Sequence, residues 1–203
     1  MKKVIDKLLN VDKKVLLFLT IICIIGIITG SVFMTILSNN DKNMIMESLT
    51  SFITEYEHLN IKSELINNLV INLSYIFIIW ISGISIIGLP IVIFILFIKS
   101  FLISFTISSF IMKYKTKGII LGIVYNMPHL VINLVTYLYL GVYSIKLSMY
   151  IIDVLIKKKT LNFKYILNRY LLILILSIFT IITSTLYETY IMPKILQYTL
   201  SII

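Results

Sequence analysis

Long apolar runs separated by short polar stretches dominate this chain. A helix needs about 20 consecutive apolar residues to cross the hydrocarbon core of a bilayer, and the pattern predicts five such helices. They are expected at about 15–37, 69–88, 90–112, 119–145 and 170–190. The pattern therefore predicts an all-α fold, a polytopic membrane helical bundle that forms a single domain over residues 1–203.

The apolar run from 69 to 112 is far too long for one crossing. Gly88 and Pro90 interrupt it, and proline removes a backbone donor and disfavours helix at the preceding residue. We therefore expect two spans joined by a tight turn at this helix break. Pro128 is expected to kink the fourth span.

The distribution of Lys and Arg predicts the orientation of the bundle. With the N-terminus inside and five crossings, eleven of these residues face the cytoplasm and six face outward, as the positive-inside rule requires. The inner side would hold residues 1–14 and a basic loop at 146–169. Residues 38–68 and 188–203 would lie outside, although the lysine cluster at 113–117 then falls on the less favourable side.

The outer segment has its own helical pattern. Apolar residues recur at helical spacing and predict an amphipathic helix over 44–59, with a face formed by Ile45, Leu49, Phe52 and Tyr56. This face could rest on the membrane surface. Alternatively, it could dock an extracytoplasmic partner.

The composition excludes a soluble enzyme. Hydrophobic residues make up 59% of the chain and charged residues 13%, against about 25% charged in soluble domains. The net charge of +9 belongs to the inner face, so nucleic-acid binding is not expected. The single Cys23 has no His or Cys partners, and no catalytic, cofactor-binding or metal-binding motif occurs. We expect a protein without enzymatic activity or cofactor.

Small residues mark helix contacts within the membrane. Gly26 and Gly30 form one GxxxG motif, and Gly118 and Gly122 form another. Such motifs allow close approach of helix backbones. Packing within the chain is the favoured interpretation, and self-association into a homo-oligomer is the alternative.

Three ionisable residues lie within or near the predicted spans. A central Lys costs roughly 2.5–3.5 kcal/mol on insertion scales, so Lys99 and Glu188 could approach each other and share that cost. Alternatively, Lys99 could extend toward the interface while Glu188 lies among headgroups. His129 follows Pro128, where broken backbone hydrogen bonds need partners.

Several segments resemble the stage II sporulation protein M family, and the resemblance covers nearly the whole chain. The central run 80–90 (WISGISIIGLP) followed by 97–99 (FIK) looks like the family core. Three further features agree in order along the chain: Asn72 near the start of the second span, Pro128-His129, and the segment 188–193 (ETYIMP).

The resemblance implies a non-enzymatic membrane protein of the sporulation septum and the engulfing mother-cell membrane. It would recruit and position two membrane-anchored peptidoglycan hydrolases, stage II sporulation proteins D and P. The alternative is a small transporter or permease subunit whose intramembrane Lys99, His129 and Glu188 line a path.

Overall fold

The structure, a computed structural model, describes residues 12–55, 60–85, 88–157 and 163–202. These ranges contain eight α-helices and no β-strand, which confirms the all-α prediction. The helices are α1 (Lys13–Ile36), α2 (Asn39–Glu55), α3 (Ile61–Ile84), α4 (Gly88–Tyr114), α5 (Thr116–Asn126), α6 (His129–Lys157), α7 (Phe163–Tyr190) and α8 (Met192–Ile202).

Five segments of the described chain are long and apolar enough to cross a membrane. They are Lys13–Ile36, Ile61–Ile84, Gly88–Tyr114, His129–Val154 and Ile166–Thr199. The number agrees with the prediction of five spans. The last segment joins α7 and α8 through Ile191, whose N–H donates to the Tyr187 carbonyl oxygen at 3.0 Å.

The fourth crossing corrects the predicted span at 119–145. Residues before and after Pro128 belong to separate helices, because α5 ends at Asn126 and α6 begins at His129. Proline cannot donate a backbone hydrogen bond and disfavours helical backbone at the residue before it. Met127 is accordingly extended, with φ −98° and ψ 143°. The proline breaks the helix completely where only a kink was expected.

Helix also extends into much of the predicted basic loop at 146–169. α6 continues to Lys157 and α7 begins at Phe163. Apolar contacts persist along α6, since Leu147 is buried and Ile151 packs against the core. Apolar packing therefore continues the helix into a segment whose positive charge predicted a loop. Residues 158–162 lie outside the described ranges.

Local capping explains the ends of the second and third crossings. α3 begins at Ile61, ahead of the predicted 69, because Asn60 Oδ1 accepts a hydrogen bond from the Lys62 N–H at 3.1 Å. At Gly88, the start of α4, a Cβ atom would overlap the Ser82 carbonyl oxygen, so only glycine fits. Pro90 lies in the first turn of α4, where its missing N–H leaves no partner unsatisfied.

The glycines of α1 bring its backbone against α4. A Cβ atom at Gly26 would lie 2.7 Å from the Phe97 carbonyl oxygen, and one at Gly30 would overlap the carbonyl of Phe101. Next to Gly30, the hydroxyl of Ser31 shares a hydrogen bond with the hydroxyl of Ser104. In this structure the first GxxxG motif packs helices within one chain.

α6 is the central helix of the bundle. Its apolar window is 56% buried, compared with 22% for α1 and for α3. The residues of the main core come from α1, α3, α4, α6 and α7 and include Leu19, Ile76, Ile79, Val92, Leu96, Tyr137, Leu140, Ile173 and Ile181.

A second cluster joins α5 and α8 to the end of α4. Its buried members are Phe110, Leu121, Met192 and Leu196. α5 runs antiparallel to α4, since Gly118 lies against Phe110 whereas Gly122, one turn later, lies against Ile107. α8, which follows α7 directly after Ile191, packs against the bundle at this cluster.

Replacing Gly30 with Leu should destabilise the bundle, because the new side chain must push apart two backbones. Overpacking of this kind costs about 1–3 kcal/mol, so the Tm in detergent should fall clearly. Thr20→Leu is the matched control, since Thr20 is exposed on the same helix. Equal Tm values for the two variants, together with loss of a dimer in Gly30→Leu, would instead place the motif between two chains.

Candidate functional site: an intramembrane polar cluster

Asn72 is the centre of a polar network inside the bundle. Its side chain is 7% exposed, and its Nδ2 donates to Thr185 Oγ1 at 3.3 Å and to Glu188 Oε2 at 3.5 Å. The Tyr137 hydroxyl donates to the Asn72 carbonyl oxygen at 3.2 Å and lies 3.3 Å from its Oδ1. These contacts tie α3, α6 and α7 together in a region where water cannot supply hydrogen bonds.

His129 adds the first turn of α6 to this network. Its Nε2 lies 4.0 Å from Glu188 Oε1, which is an approach and not a hydrogen bond. Its carbonyl oxygen accepts a hydrogen bond from Ser184 Oγ at 3.1 Å. The helix start created by Pro128 is therefore fastened to α7 by the backbone of His129.

Lys99 does not form the ion pair with Glu188 that the sequence suggested. In the described ranges, the basic group recorded within 4.0 Å of the Glu188 carboxyl group is the His129 ring. The Lys99 ammonium lies 3.7 Å from the centroid of the Tyr75 ring and 5.7 Å from that of Tyr137. Glu188 still attracts Lys99 at longer range.

The ring contacts offset most of the free energy that burying Lys99 in the membrane costs. A desolvated cation–π contact contributes about 2 kcal/mol, against an insertion cost of roughly 2.5–3.5 kcal/mol for a central lysine. Tyr75 and Tyr137 therefore replace the expected carboxylate as the nearest partners of this charge. Tyr137 also joins Lys99 to the Asn72 network, since its hydroxyl reaches Asn72 while its ring faces the ammonium.

A cavity of about 120 Å³ lies beside Lys99, between α4 and the start of α6. Asn133 lines it and is 3% exposed, and neither its Nδ2 nor its Oδ1 has a hydrogen-bond partner. Neither His129 nor Glu188 lines the cavity. The cavity therefore does not join the three residues assigned to a transport path in the alternative hypothesis.

The amphipathic helix predicted on the outer side is α2, which begins earlier than the predicted 44–59 and ends at Glu55. Ile45 is half-buried, and Leu49 packs against the Phe110 cluster. The backbone of Phe52 belongs to α2, whereas Tyr56 lies outside the described residues. At Leu49 the predicted docking face is therefore occupied by the bundle itself.

Lys113 anchors α2 to the end of α4. Its Nζ donates to the Met46 carbonyl oxygen at 2.8 Å and to the Thr50 hydroxyl. A lysine that weakened the charge argument for topology thus has a structural role. The face of α2 opposite this anchor carries the exposed residues Met44, Glu47, Ser48 and Ser51.

Several residues of the cluster were missed in the sequence, although a signal for them exists. Small and polar residues follow one face of α6 at helical spacing, and all of them are buried. They are His129, Asn133, Tyr137, Gly141, Ser144 and Ser148. A polar stripe on an apolar helix indicates the side that faces other helices, because hydrocarbon cannot satisfy it.

The arrangement is suited to holding helices together. Asn72, His129 and Glu188 form one cluster. Lys99 lies beside this cluster, where its ammonium faces the ring of Tyr137. Within the described ranges, no group of three or more His, Cys, Asp or Glu residues could hold a metal ion. The contacts found are hydrogen bonds and ring contacts between neighbouring helices.

Comparison with known proteins finds a family match over most of the chain. The family model described as SpoIIM, stage II sporulation protein M, matches residues 16–193. No curated protein and no solved structure matches the chain significantly.

Replacing Asn72 with Leu should cost about 1–3 kcal/mol of unfolding free energy, because buried oxygens of Thr185 and Glu188 lose the amide that donates to them. Asn67→Leu, at an exposed position of the same helix, is the control and should change little. In a double-mutant cycle with Tyr137→Phe, the two effects should be non-additive by about 0.5 kcal/mol or more. SDS titration in mixed micelles measures these values, and additive effects would show that the network carries no coupling.

Proposed function

The chain belongs to the stage II sporulation protein M family, and from this membership we propose a specific role for this sporulation membrane protein. It is a non-enzymatic membrane scaffold that recruits and positions septal peptidoglycan-degrading enzymes during endospore formation. The partners are membrane-anchored wall hydrolases, and stage II sporulation proteins D and P are the expected ones. Its location is the sporulation septum and then the engulfing mother-cell membrane.

The internal ties support a scaffold. Hydrogen bonds from Asn72, Tyr137 and Ser184 connect α3, α6 and α7, and glycine contacts connect α1 to α4. A bundle held by such contacts keeps its surface in one shape. A fixed surface favours partner binding because little conformational entropy is lost on association.

The position of α2 is the observation that carries the proposal. Leu49 and Lys113 fasten this helix to the end of the bundle, so one of its faces is committed to the protein. The other face is open, with Met44 66% exposed and Glu47 also exposed. The charge distribution favours a position of this helix outside the cell, on the side where peptidoglycan lies.

The exposed face of α2 suits a partner whose surface is basic and partly apolar. Asp41 and Glu47 are exposed acidic residues beside the apolar Met44. A membrane-anchored hydrolase with a basic, partly apolar surface near its anchor would complement them, and complementary charge favours correct docking. This replaces the earlier expectation that Leu49 belongs to the docking face.

A photo-crosslinking residue introduced at Glu47 should capture a wall hydrolase in sporulating cells of the source organism. The same residue at Phe179, which is 67% exposed on the apolar surface of α7, is the matched control and should capture none. Deletion of the gene should arrest membrane migration around the forespore, and the Glu47→Lys variant should restore it poorly. Normal engulfment in the deletion strain, with no hydrolase captured, would contradict the scaffold and favour a transporter.

A further inference from the structure

A second cavity lies between α6 and α7, at the end of the bundle away from α2. Its volume is about 300 Å³, and its lining includes Tyr143, Lys146, Tyr150, Ile166 and Arg169. None of the residues that line it carries a carboxylate. The polar cluster around Asn72 does not extend to this cavity.

The ends of the neighbouring helices place the cavity at the level of the membrane surface. The Ser148 hydroxyl donates at 2.9 Å to the carbonyl oxygen of Ser85, the C-cap of α3. α1 begins at Lys13 near this level, since Leu19, six residues later, packs beside Gly141 of α6. Crossing segments thus start and end where the cavity lies.

Aromatic residues mark the same level. The Tyr170 hydroxyl donates to the Trp80 carbonyl oxygen at 2.7 Å, and the two rings stack at 5.7 Å. Tyr143 and Tyr150 line the cavity beside them. Trp and Tyr are enriched where the hydrocarbon meets the headgroups, so the cavity lies where lipid phosphates are found.

The basic residues of the cavity are placed for an anion. Arg169 Nη2 donates to the Tyr143 hydroxyl at 3.2 Å, and its Cζ lies 5.3 Å from the Tyr143 ring centroid. These contacts hold the guanidinium at the cavity. Lys146, on the neighbouring helix α6, is exposed and supplies a second positive charge.

We propose that this cavity binds the phosphate of an anionic phospholipid between Lys146 and Arg169. The ligand chemistry is that of a phosphate ester, which a guanidinium and an ammonium recognise together. The lipid is favoured over free phosphate because Leu147 and Ile166 supply apolar lining for its glycerol and chains. Basic pockets between transmembrane helices bind anionic headgroups in this way. The inference does not depend on the scaffold role or on which side of the membrane is cytoplasmic.

Native mass spectrometry of the full-length protein, released from nanodiscs, tests this assignment. Phosphatidylglycerol nanodiscs should yield protein with retained lipid, whereas phosphatidylcholine nanodiscs should not. Because each cation near the membrane surface contributes a modest attraction, Lys146→Gln should weaken phosphatidylglycerol retention roughly fivefold. The matched control is Lys194→Gln, which removes an exposed lysine that does not line the cavity.

Lys146→Gln is the main test variant, because the Lys146 side chain is exposed and its loss should leave the fold intact. Arg169→Gln, in contrast, also removes the contacts to Tyr143. Arg169→Lys, which keeps the charge, should retain more lipid than Arg169→Gln. Equal retention in Lys146→Gln and Lys194→Gln would overturn the proposal. Stabilisation of the detergent-solubilised protein by inorganic phosphate, with no preference for phosphatidylglycerol, would overturn it in favour of a soluble anion.

Discussion

The hydrogen bonding of Asn72 is the interaction on which the centre of this bundle depends. An unsatisfied polar group in hydrocarbon costs several kcal/mol, so the amide must find partners on other helices. It finds them in Tyr137 on α6 and in Thr185 and Glu188 on α7. Sliding any of these three helices by one turn would separate the groups, and the network therefore specifies their register.

The break at Pro128 makes this network possible. Because the chain turns there, α5 runs along α4 while α6 starts again beside α7, with His129 at its first position. The first turn of α6 is tied to α7, because the His129 carbonyl oxygen accepts a hydrogen bond from the Ser184 hydroxyl. The polar residues that follow on α6 then face inward.

Hydrophobic run length was sufficient to predict the all-α fold and five crossings, because each crossing must match the thickness of a bilayer. It could not show that Pro128 would end a helix completely where a kink was expected, since that depends on the packing of α5 and α6. The partners of Lys99 also escaped prediction. Depth in the membrane can be read from sequence position, but the direction in which Lys99 projects depends on helix rotation, and that direction leads to Tyr75.

For the surface residues too, the sequence pattern predicts the helix but not the residues that pack against it. The helical period predicted an amphipathic α2, yet period alone does not say what covers its apolar face. Leu49 is covered by the Phe110 cluster, and Lys113 closes the contact, so the opposite face becomes the one available to a partner. Likewise, Lys146 and Arg169 are 23 positions apart in sequence, and only the pairing of α6 with α7 brings them to one cavity.

The central claim is that α2 lies outside the cell as a platform and that the α6–α7 end faces the cytoplasm. Labelling of single cysteines with a membrane-impermeant thiol reagent, in a Cys23→Ser background, tests it most directly. Ser48→Cys on α2 and Asn168→Cys on α7 are both exposed positions. In intact cells the account predicts labelling of Ser48→Cys alone, with Asn168→Cys reacting only after permeabilisation. Labelling of Asn168→Cys in intact cells, without labelling of Ser48→Cys, would contradict it.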